Sequence, residues 1–571
     1  MWEKNVFPLV NLAGTGGLAF IFSVLALGDV LSTDWTVRFF SFQGSSLYWG
    51  GVMDLTAGRY ILICLVINLF CKILMVLDKQ ENSESLPRFF VYLDLFLIAS
   101  FVAIISNYFC SFFIGWELFG ILSYLFLSFS YEDGPSNQAA FMAFLFDRFG
   151  SILLFFAGAI SFFKVGDLSF DDPYWKSIGG TFIGPLFFAA LYIRLFQFGA
   201  NTWFMYVDKS PSLSLGIVSS FVFGMPIFLI ISKWGIVESS GLKSVVLYGG
   251  IISLACGIFM AFQEILLKKF LIYLNMAQWG GVLIAAAFGN ESIFLYPFMV
   301  FSVLQIIIFG LDKNLSMDGS RQFFLESLGS RVASKNIMLG IVLFWTLSFG
   351  GILGFLSAQI VSFYPSFLVM MGIGCAFCSF VIWKLFFWIL FFFPSNQQSS
   401  YDQTESPIMM PADNTKNIVI LKIATALFSV GLLLLFQQKE IRQLNILNFT
   451  FFSSIFLLAG VSGWALIGFF FREQLISGFL KGVIYEFFSR QAYLQFFYEK
   501  AITGSFKWLS TSVSEKIDIF LIEEQAFQGT LVGLRKLHHF FENTQKRTFS
   551  SHVLFILFVC IGLLLFMMFG R

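Results

Sequence analysis

Apolar runs of about twenty residues recur along nearly the whole chain, and only a few architectures can hold them. Each run is long enough to cross roughly 30 Å of hydrocarbon at 1.5 Å per helical residue. In lipid an unpaired backbone N–H or C=O costs several kcal/mol, so a crossing segment must be a helix or a strand of a closed barrel. These runs lack the ten-residue alternation of barrel strands and read as helices. Of the 571 residues, 58% are hydrophobic and 12% charged, against the roughly 25% charged of soluble domains. Mean hydropathy is +0.82. A water-soluble fold is excluded, and the bilayer is the solvent. Net charge is +1 and the basic residues stand singly or in pairs, which sets aside a nucleic-acid partner.

Windows of about nineteen residues predict fifteen spans, at 7–28, 59–78, 88–107, 109–130, 138–163, 180–200, 213–233, 245–263, 267–288, 293–311, 337–361, 365–394, 416–437, 450–471 and 549–569. The first span follows Glu3 and Lys4 and has no small-residue cleavage site, so it reads as a retained helix rather than a signal peptide. The polar stretch at 395–417 is rich in Ser, Gln, Asp and Pro and reads as a solvated loop. The expected organisation is an N-terminal span and connection at 1–58, a helix core at 59–394, that loop, C-terminal spans at 418–490, an amphipathic region at 491–548 and an anchor helix at 549–571.

The amphipathic region places Ile517, Leu521, Phe527, Leu531, Leu534, His538 and Phe541 three or four positions apart, or close to it, with Glu524 interrupting. Lys516, Glu523, Arg535 and Glu542 fall mostly elsewhere on the wheel. Ser512 and Glu515 fit a capping box opening a helix over 514–547 that lies along the membrane or along neighbouring helices. The seven cysteines all fall in apolar segments and read as small hydrophobes; Cys375 and Cys378 spell C-x-x-C without further ligands. The 81 phenylalanines exceed what packing asks for and suggest a T-rich organellar gene.

A charge at mid-bilayer costs at least about 2.5 kcal/mol, so such residues face the protein and serve either an ion path or a structural pair. The candidates are Glu117, Asp147, Arg148, Arg194, Lys233, Lys268, Lys269 and Lys384. Asp147 and Arg148 read as an adjacent compensating pair, Lys268 and Lys269 as a helix start facing headgroups, and Lys384 as either a path residue or a snorkelling side chain.

These residues sit in blocks that carry a resemblance. RFFVYLDLFLIAS, FIGWELFGILSYLFLSF, NQAAFMAFLFDRFG, QFGANTW with the Pro211 region, and KKFLIYLNMAQWG follow one another in the order seen in the chain 5 family of respiratory NADH:ubiquinone oxidoreductase, complex I. WGGVMDLTAGRYILI resembles the block upstream, and GFLSAQIV and VIWKLFF continue the match more faintly. Coverage runs from about Trp49 to the C-terminus, with one helix before the first block where the family commonly has two. The resemblance implies an all-α polytopic membrane protein: an antiporter-like helix bundle with broken helices, a long amphipathic lateral helix and a C-terminal anchor. Sibling subunits and the large subunit of sodium/proton antiporters share the central blocks, and the lateral helix favours chain 5.

The family is thought to pass protons along buried Glu, Lys and His residues. The resemblance carries the glutamate onto Glu117 and sets Arg194 where the family has lysine, an expected partner for Glu117. Guanidinium holds its proton above about pH 12, so this station becomes a fixed charge. Gapless counting puts Ser219, Pro297, Phe301 and Gln305 at relay positions and Ala358 and Gln359 in the exit motif, while Lys233, Arg148 and Lys384 match basic family positions. The chain has three histidines, His538, His539 and His552, none in the core, so a histidine relay is absent.

Together these imply a membrane-arm subunit of complex I in the mitochondrial inner membrane, in contact with other membrane-arm subunits and with lipid. No dinucleotide fingerprint, iron–sulfur cysteine cluster or haem-ligand pattern occurs. FMN, iron–sulfur clusters and the quinone site are therefore expected in other subunits, and no metal or cofactor in this one. The rivals are a stand-alone cation/proton antiporter and a purely structural scaffold of antiporter descent.

Overall fold

The computed structural model describes residues 11, 13–18, 33–42, 45–77, 86–165, 169–170, 182–201, 210–264, 266–287, 302, 500, 504–514 and 528–545. The expected spans from 293 onward and the polar loop at 395–417 lie outside them. So do Lys384, Pro297, Phe301, Gln305, Ala358, Gln359, Cys375, Cys378 and His552. The chain divides into two compact units, Met1–Ala492 and Tyr493–Arg571.

In the first unit an antiparallel hairpin, β1 (Thr33–Phe42) and β2 (Ser45–Met53), precedes a helical bundle. The helices are α1 (Leu55–Leu77), α2 (Leu86–Ile105), α3 (Phe109–Leu127), α4 (Gly134–Val165), α5 (Ile183–Arg194), α6 (Ser212–Ser232), α7 (Trp234–Ser239), α8 (Lys243–Gln263) and α9 (Leu267–Ala286). Six of them, α1 to α4, α6 and α8, are long and apolar enough to cross a membrane. Start signals are local: Pro135 stands in the first turn of α4 and Pro211 caps α6, where a missing N–H costs nothing.

Burial follows helical periodicity. On α2, Phe89, Leu93, Phe96 and Ser100 face inward, and Val91, Leu95 and Ile98 face outward at 42%, 43% and 52% exposure. Outward apolar faces of this kind suit lipid or a neighbouring membrane chain. The crossing window of α6 is buried throughout, so α6 stands within the bundle rather than on its rim. Phe96 stacks on Phe119 at 4.4 Å and meets Phe221 edge-on at 5.2 Å, tying α2, α3 and α6 together. The α8–α9 contact is close because both sides are small: a Cβ at Gly250 or Gly280 would press on the partner backbone. Helix α9 was expected as a span and falls outside the six; its Asn275 and Gln278 are buried in protein.

Two elements differ from expectation. The connection before residue 58 holds the hairpin, whose Gly50 carbonyl accepts from Asn107 N at 3.2 Å and Ser111 Oγ at 3.1 Å. It is thereby pinned to the α2–α3 corner. In the second unit, α10 (Gly504–Val513) already contains Ser512 in its last turn, so Ser512 does not cap a new helix. α11 (Gly529–Gln545) covers part of the expected amphipathic helix, with Leu534, Leu537 and Phe540 exposed in this chain alone.

Candidate functional site: a buried charge cluster

Helices α3, α4 and α5 bring Glu117, Asp147, Arg148 and Arg194 into one network. Arg194 occupies the last turn of α5, where the free carbonyl ends favour a cation. Beyond it the helix breaks: Phe196 takes φ 53° and Gly199 φ 94°. The left-handed region is costly for a bulky residue, so packing must hold Phe196 there, and it is 3% exposed. Tyr192 Oη donates to Phe198 O at 3.1 Å and Phe198 N donates to Ser253 Oγ on α8 at 3.1 Å, fixing the break against its neighbour.

Arg194 is 1% exposed and fully engaged. Nε and Nη2 donate to the two oxygens of Asp147 at 2.6 and 2.7 Å, and Nη1 donates to Trp116 O at 3.0 Å. This fork on a carboxylate is geometry that lysine cannot copy. The guanidinium also lies over the Trp116 ring, 3.4 Å from its centroid, and the indole Nε1 donates to Ser151 Oγ at 3.2 Å. Arg148 Nη2 donates to Asp147 Oδ2 at 2.7 Å, and its Nη1 pairs with Glu117 Oε2. The order is therefore Glu117, Arg148, Asp147, Arg194, two carboxylates and two guanidiniums that sum to zero. Gly120 makes room for it, since a Cβ there would overlap Asp147 Oδ2 and Arg148 Nη2.

The expected pairing of Arg194 with Glu117 is not the one formed. Asp147 takes Arg194, and Arg148 takes Glu117, because α4 lies between the other two charges and presents consecutive residues to both. Asp147 is thus more than the neighbour of Arg148: it is the hub, and the sequence carried a signal for it in an acid–base pair inside an apolar span. Lys233 closes α6 and holds its ammonium over the Phe170 ring at 4.9 Å. Ser219 is buried and donates to Gly216 O at 3.0 Å. Lys268 Nζ donates to Ser210 O at 3.2 Å.

The cluster has room for solvent. A cavity of about 20 Å³ is lined by Gly120, Ser123, Asp147, Arg194 and Phe196, among others, and roughly 10–15 Å³ suffices for one water. Glu117 Oε1 and Arg148 Nε are buried with no hydrogen-bond partner among the described residues. Near the α5 break, Gln197 Oε1 and both side-chain polar atoms of Asn201 are in the same condition. Such groups usually hold water. The arrangement can therefore orient water and fix charge, but its cations do not give up protons.

Residues 106–391 match the family model described as NADH:quinone oxidoreductase/Mrp antiporter, TM, and that match takes in all four charged residues. NADH-ubiquinone oxidoreductase chain 5 of Neurospora crassa is 23% identical over 304 residues, covering 52% of this chain and 42% of that protein. The chain 5 proteins of Paramecium tetraurelia and Acanthamoeba castellanii are 25% and 24% identical, covering 49% and 58% of this chain and 51% and 54% of theirs. The chain thus spans about half the length of the curated relatives it matches. Among solved structures, one from respiratory complex I of Thermus thermophilus aligns with TM-score 0.60 at 14% identity, covering 80% of this chain and 98% of that one. One from the Mrp complex of Dietzia sp. aligns with TM-score 0.58 at 15% identity, covering 94% and 62%. These two likenesses bear on the fold, which is the antiporter-like bundle with a broken helix at α5. With its family model covering half its length, the chain belongs to the NADH:quinone oxidoreductase/Mrp antiporter transmembrane family and is similar to chain 5 of NADH-ubiquinone oxidoreductase.

Proposed function

We propose that this chain is a membrane-arm subunit of proton-translocating NADH:ubiquinone oxidoreductase in the mitochondrial inner membrane, encoded by the organelle and assembled with other membrane-arm subunits and lipid. NADH, FMN, iron–sulfur clusters and quinone are handled by its partners. Its amphipathic C-terminal region braces the arm. The family's proton route is altered at the α5 break, where a fixed guanidinium replaces a residue able to titrate. The observation that carries the reading is the family match across the helices that build the charge cluster. With Arg194 locked between Asp147 and the Trp116 carbonyl, the cluster organises helices and water without passing a proton by its own cations.

Replacing Glu117 with Gln in the assembled complex, and measuring protons moved per NADH in sealed vesicles, tests this. An unchanged ratio is expected, and a clear loss of pumping refutes the altered route. The fold likeness across 94% of this chain to one from an Mrp complex supports a second reading, a stand-alone cation/proton antiporter. Native electrophoresis separates the two, since migration with NADH-oxidising activity excludes the stand-alone transporter.

A further inference from the structure

A second buried ion pair lies apart from this cluster, on α1 and α2. Lys72 Nζ donates to Asp94 Oδ1 at 2.5 Å, with the lysine side chain 0% exposed and the aspartate 27%. Asp94 stands eight residues into α2, about 12 Å along a helix rising 1.5 Å per residue, so the pair sits well within the span. Asn11 Nδ2 donates to the other carboxylate oxygen at 2.6 Å. One turn from Lys72 on the same face of α1, Asn68 donates to Leu93 O at 3.0 Å. The Phe90 ring faces the ammonium at 5.6 Å, and the Cys71 thiol is the adjacent titratable group.

The polar account around this pair does not close. Asn11 Oδ1 and Asn68 Oδ1 are buried without a hydrogen-bond partner among the described residues. An ammonium has three donors, and the recorded protein bond of Lys72 is the one to Asp94. Asn11 also holds Asp94, and Asn68 stands one turn from Lys72, so a water satisfying either orphan acceptor would lie next to the pair. The contrast with the α3–α5 cluster is chemical. There both cations are arginines, which keep their protons; here the cation is a lysine, which can release one.

We propose that Lys72 and Asp94 form a proton-exchange site distinct from the charge cluster at the α5 break, with water held by Asn11 and Asn68 as its proton carrier. An N–H bond of the Lys72 ammonium breaks and an O–H bond forms on Asp94, leaving a neutral amine and a carboxylic acid. The acid passes its proton to a water reaching its exposed side and becomes carboxylate again. The amine then takes a proton from a hydronium delivered through the asparagine-held water. The cycle is closed and needs no oxidant or reductant. Its role in pumping rests on the complex I assignment above; the exchange itself does not.

Two measurements on the assembled chain in its membrane test the proposal. With 13C-labelled aspartate, infrared difference spectra of the wild-type complex during turnover should show a protonated aspartate carboxyl band that disappears in Asp94→Asn. Lys72→Arg keeps the pair's charge but cannot release a proton, so it should assemble, lose the band and lower the proton-to-NADH ratio. Lys72→Met/Asp94→Leu should lower the ratio in the same way. If Lys72→Arg retains the full ratio, or the wild-type spectrum shows no aspartate carboxyl band, the pair merely pins two helices and the proposal is overturned. The wild-type spectrum decides even where a variant fails to accumulate. Native electrophoresis reports the complex I assignment separately, because the band is read on this chain in whatever assembly holds it.

Discussion

At the residue scale the hub is Asp147, which accepts from both Arg194 and Arg148. Removing one member of a buried ion pair leaves an uncompensated charge and costs about 3–5 kcal/mol. Asp147→Ala strands Arg194 and leaves Arg148 with Glu117 alone, so the protein should accumulate poorly and melt well below wild type in detergent. Glu117→Ala leaves both guanidiniums on Asp147, at a side chain 25% exposed, and should cost clearly less. Reversal of this order in thermal melts would contradict the network as described. Arg194→Lys keeps the charge and loses the fork. It should reduce thermal stability while placing at the break a group that can titrate, which the proton-to-NADH ratio would register.

At the element scale, Gly115 sets the spacing of α2 and α3, since a Cβ there would run into the Ala103 backbone. Gly115→Val should force the helices apart and abolish assembly, whereas Gly134→Ala, with nothing within 4 Å of the added carbon, should change stability by no more than about 0.5 kcal/mol. Both are read as steady-state amounts of chain in the membrane fraction. Helices of this kind are legible in the sequence because hydropathy alone reports them: 88–107 against Leu86–Ile105 and 109–130 against Phe109–Leu127 differ by no more than three residues at any end. The hairpin is not legible in that way. In a chain this rich in phenylalanine, TDWTVRFFSF reads as the frayed edge of an apolar run, although its partner strand, Ser45–Met53, begins only three positions after its last residue. The site was legible in its members but not in its pairing. Which carboxylate meets Arg194 depends on the rotation of α4 about its own axis, which periodicity leaves free. Lys72 and Asp94 were readable as charges inside apolar runs, and Asp94 stands in a block that carries the family resemblance. Their pairing is not legible, because it joins two spans whose relative rotation periodicity leaves free.

At the scale of the whole molecule, six helices able to span a membrane and outward apolar faces such as Val91, Leu95 and Ile98 leave lipid or a partner chain as the only comfortable surroundings. Alkaline carbonate should leave the chain in the membrane pellet, and its recovery in the supernatant would contradict the spanning assignment. The zero sum of the α3–α5 quartet has a further effect once the membrane is energised. A potential of 100 mV pulls on each displaced elementary charge with roughly 2.3 kcal/mol, yet a tightly bound set with equal positive and negative members offers the field no net handle. A membrane potential can therefore rise and collapse without dragging the α5 break along the membrane normal, and that joint keeps its setting whether the membrane is charged or discharged.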